Sequence, residues 1–217
     1  MADFWNIVPM VMGLGTLHRI ALTLWCMDRA FTGLDAIAVT GDEGRRLAVI
    51  RSRGLNLWHG SGPAWSAQEL ESLRQKCEAY DAERLRWHAR NDAILNRVFG
   101  NSEWVSDDDV TNAITNAVSI VWSLTSVIPD AETDNVIQAL EAYYDIFYQP
   151  TWERLTAGQR EVSPGEMGAA EAKLGDTDPL KKAAAELKMH AARLREMELV
   201  SLDDPQLRGA EHGVGTH

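Results

Sequence analysis

Apolar residues recur at helical spacing along most of this chain. Thr16, Arg19 and Thr23 mark one narrow polar face, which leaves Leu17, Ile20, Ala21, Leu24 and Trp25 on a wide apolar remainder that must be covered. The stretch before it, from Phe4, is also apolar, but Pro9, Gly13 and Gly15 interrupt it, and His18 and Arg19 follow before it ends at Met27. A spanning helix needs about twenty apolar residues with few charges, so the pattern predicts a covered helix and not a membrane span.

Residues 34 to 60 read two ways. AIAVT, GDEG and LAVI suit a small β-hairpin near 35–50 around a glycine-bounded turn, while RRLAVIRSR suits a helical turn or two. Gly54, Gly60, Gly62 and Pro63 then predict a loop.

Beyond that loop the punctuation is clearer. Ser66-Ala-Gln-Glu69 is a capping box, in which the serine hydroxyl meets the N3 amide and the glutamate reaches back to the cap amide. The helix it opens carries Leu70, Leu73, Cys77, Tyr80, Arg84, Trp87, Asn91, Ile94 and Val98 in alternating steps of three and four, and Gly100 stops it. Ser106 with Asp107, Asp108 and Asp109 opens a second helix. Three consecutive carboxylates diverge around a helix start, so opposing the helix dipole is a plainer role for them than holding a cation. The seam of that helix is Val110, Ile114, Ala117, Val121, Leu124 and Ile128, and Pro129 ends it. No charged side chain falls between Thr111 and Ile128, which predicts burial between protein layers. Asp130 is placed to cap a third helix carrying Ile137, Leu140, Tyr144 and Phe147, closed by Pro150.

After Gly158 the composition shifts to Gly, Ala and Glu. This divides the chain into a helical body over 1–158, including the apolar N-terminal segment, and a C-terminal helical arm with a loose tail over 159–217. Ser163-Pro164-Gly165-Glu166 is a second capping box, and Asp178-Pro179 opens the last helix. Leu180, Leu187 and Leu194 are seven residues apart there, with Ala183, His190 and Met197 completing the seam. A helix this short is marginal when isolated and is expected to dock on the body or on another copy. The predicted fold is mainly α: a helical bundle with one long heptad-patterned helix and a peripheral C-terminal helix.

Composition narrows the function. The 217 residues are 45% apolar and 24% charged, ordinary values for a folded chain. Thirty-two acidic against 21 basic side chains give a formal charge of -11, which disfavours nucleic acid and anionic lipid. The run Arg45, Arg46, Arg51 and Arg53 reads as a solvated surface. Cys26 and Cys77 have no metal-ligand spacing, and the N-terminus has neither a basic flank nor a cleavage pattern. The expected place is therefore the cytoplasm or a particle assembled inside the cell.

A nucleophile elbow, a phosphate-binding glycine loop, a dinucleotide turn and an HExxH helix are all absent, and no cofactor is implied. His88 with Asp92 and Glu186 with His190 are i,i+4 pairs able to share a metal, but neither has a third ligand at a convincing spacing. The eight tryptophans suit core or interface anchoring. Trp87 sits between Arg84 and Asn91, polar residues that either fix the register of a partner helix or mark a seam turning to solvent. The reading is a structural or assembly subunit that oligomerises, as a coiled coil or bundle, or docks on a larger complex. Its candidate interaction residues are Leu17, Trp25, Leu73, Tyr80, Arg84, Trp87, Asn91, Leu187 and Leu194. The alternatives are membrane contact through residues 4–27, which the charge disfavours, and an enzyme with Tyr80, Arg84, His88 and Asp92 around a pocket.

Overall fold

A computed structural model describes residues 2–35, 41–59, 66–99, 109–156, 173, 177–199 and 201–202, and among them the regular structure is helix with no strand. In chain order the helices are α1 (Ala2–Trp5), α2 (Val8–Met12), α3 (Thr16–Asp35), α4 (Gly41–His59), α5 (Ala67–Phe99), α6 (Asp109–Val127), α7 (Thr133–Thr156) and α8 (Asp178–Glu196).

The helix that carries no charge beyond its first residue, Asp109, is the centre. Ile114, Ala117, Val118, Ile120, Val121 and Leu124 of α6 are buried, and α3, α4, α5 and α7 all lie against it. Surrounding a helix on several sides leaves no face for a charged side chain, which is why its sequence carries none after Asp109. α5 supplies polar contacts along one edge of α6. The Arg74 side chain donates to Thr125 Oγ1 at 3.3 Å and to Ser126 Oγ, and its guanidinium lies 5.2 Å from the Trp122 ring centroid. Trp122 Nε1 in turn donates to Glu78 at 3.1 Å.

The capping box at α5 is formed in full. Ser66 N donates to Glu69 Oε2 at 2.9 Å, and Glu69 N donates to Ser66 Oγ at 3.2 Å. The Ser66 hydroxyl, which donates to Glu69 Oε2 at 2.7 Å, and then the Ser66 N–H hold the Glu69 carboxyl below the usual carboxylate range. α5 ends at Phe99, the residue before Gly100. The expected caps at Ser106 and Ser163 lie outside the described residues.

The β-hairpin near 35–50 is not formed: GDEG and LAVI belong to α4, and AIAVT lies outside the described residues. Helical period decides it, since Leu47 and Ile50 point inward while Ala48 and Val49 face solvent. Gly54 belongs to the same helix and not to a loop; a Cβ there would stand 2.6 Å from Met27 Sδ and 3.5 Å from Val121 Cγ2. Glycine lets α4 approach α3 and α6 closely.

Two boundaries of α7 also differ from expectation. The helix starts at Thr133, with Val136 N bonded to the Glu132 carbonyl, so Asp130 lies in the preceding turn. It also runs through Pro150 to Thr156. A proline in mid-helix removes one backbone bond, and the turns on either side carry the helix past it.

The N-terminal segment folds back over the bundle. Phe4, Ile7, Val11 and Leu14 are buried, with the Phe4 ring 5.3 Å from that of Tyr144. Arg19 closes this corner, donating to the carbonyls of Met12 at 2.9 Å and Ala131 at 3.0 Å. No helix of the described residues is long and apolar enough to cross a membrane. α8 lies against α1, α2, α3 and α7. Thr177 occupies its N-cap position, one residue earlier than the Asp-Pro pair suggested.

Candidate functional site

The residues expected to meet a partner mostly meet their own chain. Leu73 and Tyr80 of α5 are buried, as are Leu187 and Leu194 of α8. Leu17 is half-buried. Trp25 is 7% exposed and stacks on His190, with centroids 4.5 Å apart and planes at 16°. Arg84, Trp87 and Asn91 belong to α5, but their side chains, like those of His88 and Asp92, lie outside the described residues. Both heptad seams, as far as they are described, therefore serve internal packing.

Beside the Trp25–His190 stack, a cavity of about 530 Å³ opens between α3, α7 and α8. Arg29 Nη2 donates to Glu186 Oε2 at 3.1 Å, and the Tyr143 hydroxyl donates to the same oxygen at 3.3 Å. Phe147, Pro179 and Ala183 supply apolar wall, and Lys182 stands at the rim. Burial shifts three groups around this stack and cavity. Burial, joined by Cys26 and Glu186, pushes the Tyr143 phenol up, so it stays a proton donor to Glu186. Burial alone pushes the Cys26 thiol up. His190 is lowered to about 4, first by burial and then by Arg193 and Arg29, and its Nε2 has no hydrogen-bond partner. Tyr143 lines the cavity, whereas Cys26 and His190 are not among its lining residues.

The Glu186–His190 pair is also divided by these contacts. Glu186 faces Arg29 and Tyr143, while His190 lies flat on Trp25. Among the described residues no three His, Cys, Asp or Glu side chains converge as metal ligands. The arginines of α4 knit two helices together: Arg46 pairs with Glu83, and Arg53 donates to Ser72 Oγ at 3.2 Å.

The surface that offers contacts outward is the far side of α8. Opposite its buried leucines lies a narrow strip of Ala185, Met189 and Ala192, spaced four and three apart, with exposed Asp178 and Glu196 at its two ends. Met189 is 62% exposed. Lys181, Lys188 and Arg195 run along one edge of this strip, and Lys182 and Arg193 along the other. The sequence signal is simple in retrospect: a cation follows each heptad leucine, at Lys181, Lys188 and Arg195. Attention to the leucines alone finds the inner seam and misses the outer one. On the flanking N-terminal helices Trp5 and Met12 are also exposed, at 50% and 59%. No family model, curated protein or solved structure matches this chain.

Proposed function

We propose that this chain is a structural subunit that oligomerises or docks on a larger complex through helical packing. The observation that carries the reading is the outer face of α8, where an exposed methionine on a small-residue strip is edged by cations in a chain of formal charge -11. Methionine and arginine are enriched at protein interfaces, and a basic edge on an acidic molecule selects a partner surface rich in carboxylates. Lipid contact through residues 4–27 has less to recommend it, since Phe4, Ile7, Val11 and Leu14 are already covered by protein.

The test compares native mass in two settings: the chain in a gentle extract of cells that produce it, and the chain purified alone. A subunit migrates in the extract well above its monomer mass of 24.1 kDa. A chain that stays monomeric in both settings, and whose melting temperature rises with a small molecule bound at the Arg29 cavity, would instead be a binding protein or enzyme.

A further inference from the structure

Charge is distributed along this sequence in blocks. No Lys, Arg or His occurs between Arg97 and Arg154, whereas α8 alone carries Lys181, Lys182, Lys188, Arg193 and Arg195. The fold turns these blocks into faces. On α7, Asp134, Gln138, Glu141 and Asp145 follow one another in steps of four, three and four, on the side opposite the buried Val136, Leu140 and Tyr143. Asp134 and Gln138 are exposed, Glu141 and Asp145 half-buried, and exposed Asp130 and Glu132 extend the line into the preceding turn. Arg19, the cation nearest that turn, is engaged by the carbonyls of Met12 and Ala131.

We propose that the outer face of α8 docks on this acidic seam of α7 in a second copy of the chain. The inference rests on the assembly reading above and names its partner. Three features fit the two faces together. Their seams share the step of four and three that lets helices pack side by side. Ala185 and Ala192 on either side of Met189 allow close approach, which a strip of long side chains would block. Opposite charges edge the two faces: Lys182, Lys188 and Arg195 make no ion pair among the described residues, and neither do Asp134 and Glu141. Burial and then Glu141 hold the Asp145 carboxyl up to about 6, so like charges share this seam.

Net charge opposes this contact at long range, because two copies at -11 repel each other. The opposed terms have different reach, and salt separates them. Raising ionic strength from about 0.1 M to about 1 M shortens the Debye length from about 10 Å to about 3 Å. A contact built on matched charges weakens over that range, whereas one built on apolar area alone strengthens as the net repulsion is screened.

The experiment is charge reversal with a swap, read by light scattering or sedimentation of the full chain. One variant carries Lys182→Glu, Lys188→Glu and Arg195→Glu; the other carries Asp134→Lys and Glu141→Lys. Each is expected to weaken self-association by about tenfold or more, and mixing the two is expected to restore a complex, because each retains the face the other needs. Circular dichroism establishes that each variant is folded. Met189→Asp, a single change at an exposed site, gives a second probe of the same contact and should also dissociate the wild-type oligomer. A monomeric wild-type chain, an oligomer that tightens with salt, or folded variants that show no recovery on mixing would each overturn the proposal. A monomeric purified chain found in a large particle in the extract would sink this contact alone and leave the assembly reading standing. A monomer in both settings would sink both.

Discussion

His190 shows how a side chain that reads as a ligand becomes part of a core. Its ring is 8% exposed, stacked on Trp25, and held to a pKa of about 4 by burial, then Arg193 and Arg29. The unfolded chain takes up a proton at this site below about 6.5, the folded chain only below about 4. As pH falls through that window the unfolded state binds more protons and stability is lost, by up to about 3 kcal/mol. Above the window the histidine contributes nothing to the slope. Denaturant titrations across it should show a steeper fall for the wild type than for His190→Phe, and equal slopes would mean that the imidazole is charged in the fold. Asp145 has the opposite sign, since its folded pKa of about 6 lies above the ordinary 3.8. Its stabilisation is present below that ordinary value and is lost as pH rises to about 6. Asp145→Asn is therefore expected to stabilise the chain at neutral pH, by about 1 kcal/mol after allowing for solvent screening of a half-buried group. A lower melting temperature at pH 7 would contradict this. Such residues are hard to read from sequence because the decisive neighbours are remote: His190 meets Trp25, whereas the Ser66–Glu69 box was legible because its partners are three residues apart.

At the scale of elements the same division holds. The start of α5 and the burial of the charge-free run in α6 follow from local pattern, and the structure carries both. α4 did not, because AIAVT and LAVI have the β-branched character of strands, and Gly54 resembles a loop signal. What makes α4 a helix is the floor beneath it. Leu47 and Ile50 reach the core, and Gly54 removes the Cβ that would strike Met27 and Val121. Two effects compete at this position: alanine favours a helix interior over glycine by about 1 kcal/mol, while overpacking costs about 1–3 kcal/mol. Met27 is fully buried, so moving its thioether aside disturbs packed neighbours, and the clash is expected to outweigh the gain. Gly54→Ala is expected to lower stability by about 1 kcal/mol or more, and in a double-mutant cycle Met27→Ala should recover much of the loss. If Gly54→Ala raises the melting temperature, the helices are not in close contact there.

Over the whole molecule, what remains to decide is whether α8 is an appendage or a structural wall. The thinning of large apolar residues after Gly158 favours an arm, but Leu180, Leu187 and Leu194 are each at most 1% exposed, and His190 completes the stack on Trp25. Full burial of a leucine contributes about 1.5–3 kcal/mol, so the three together supply roughly 5–9 kcal/mol. A domain of this size is stable by about 5–15 kcal/mol in total. Removing α8 therefore takes away most of the margin and uncovers Trp25 and Tyr143 besides. A chain ending at residue 172 is expected to lose its cooperative melting transition, and a peptide of residues 178–196 added in trans should restore it, because the inner leucine seam can dock without a covalent link. Substitutions on the outer face, at Lys188 or Arg195, should leave that transition within about 0.5 kcal/mol of the wild type. The contrast separates the two faces of one helix: the inner face holds the subunit together, and the outer face is available for holding subunits to each other. A truncated chain that melts at the wild-type temperature would show that the inner seam contributes little and that α8 is a tethered arm after all.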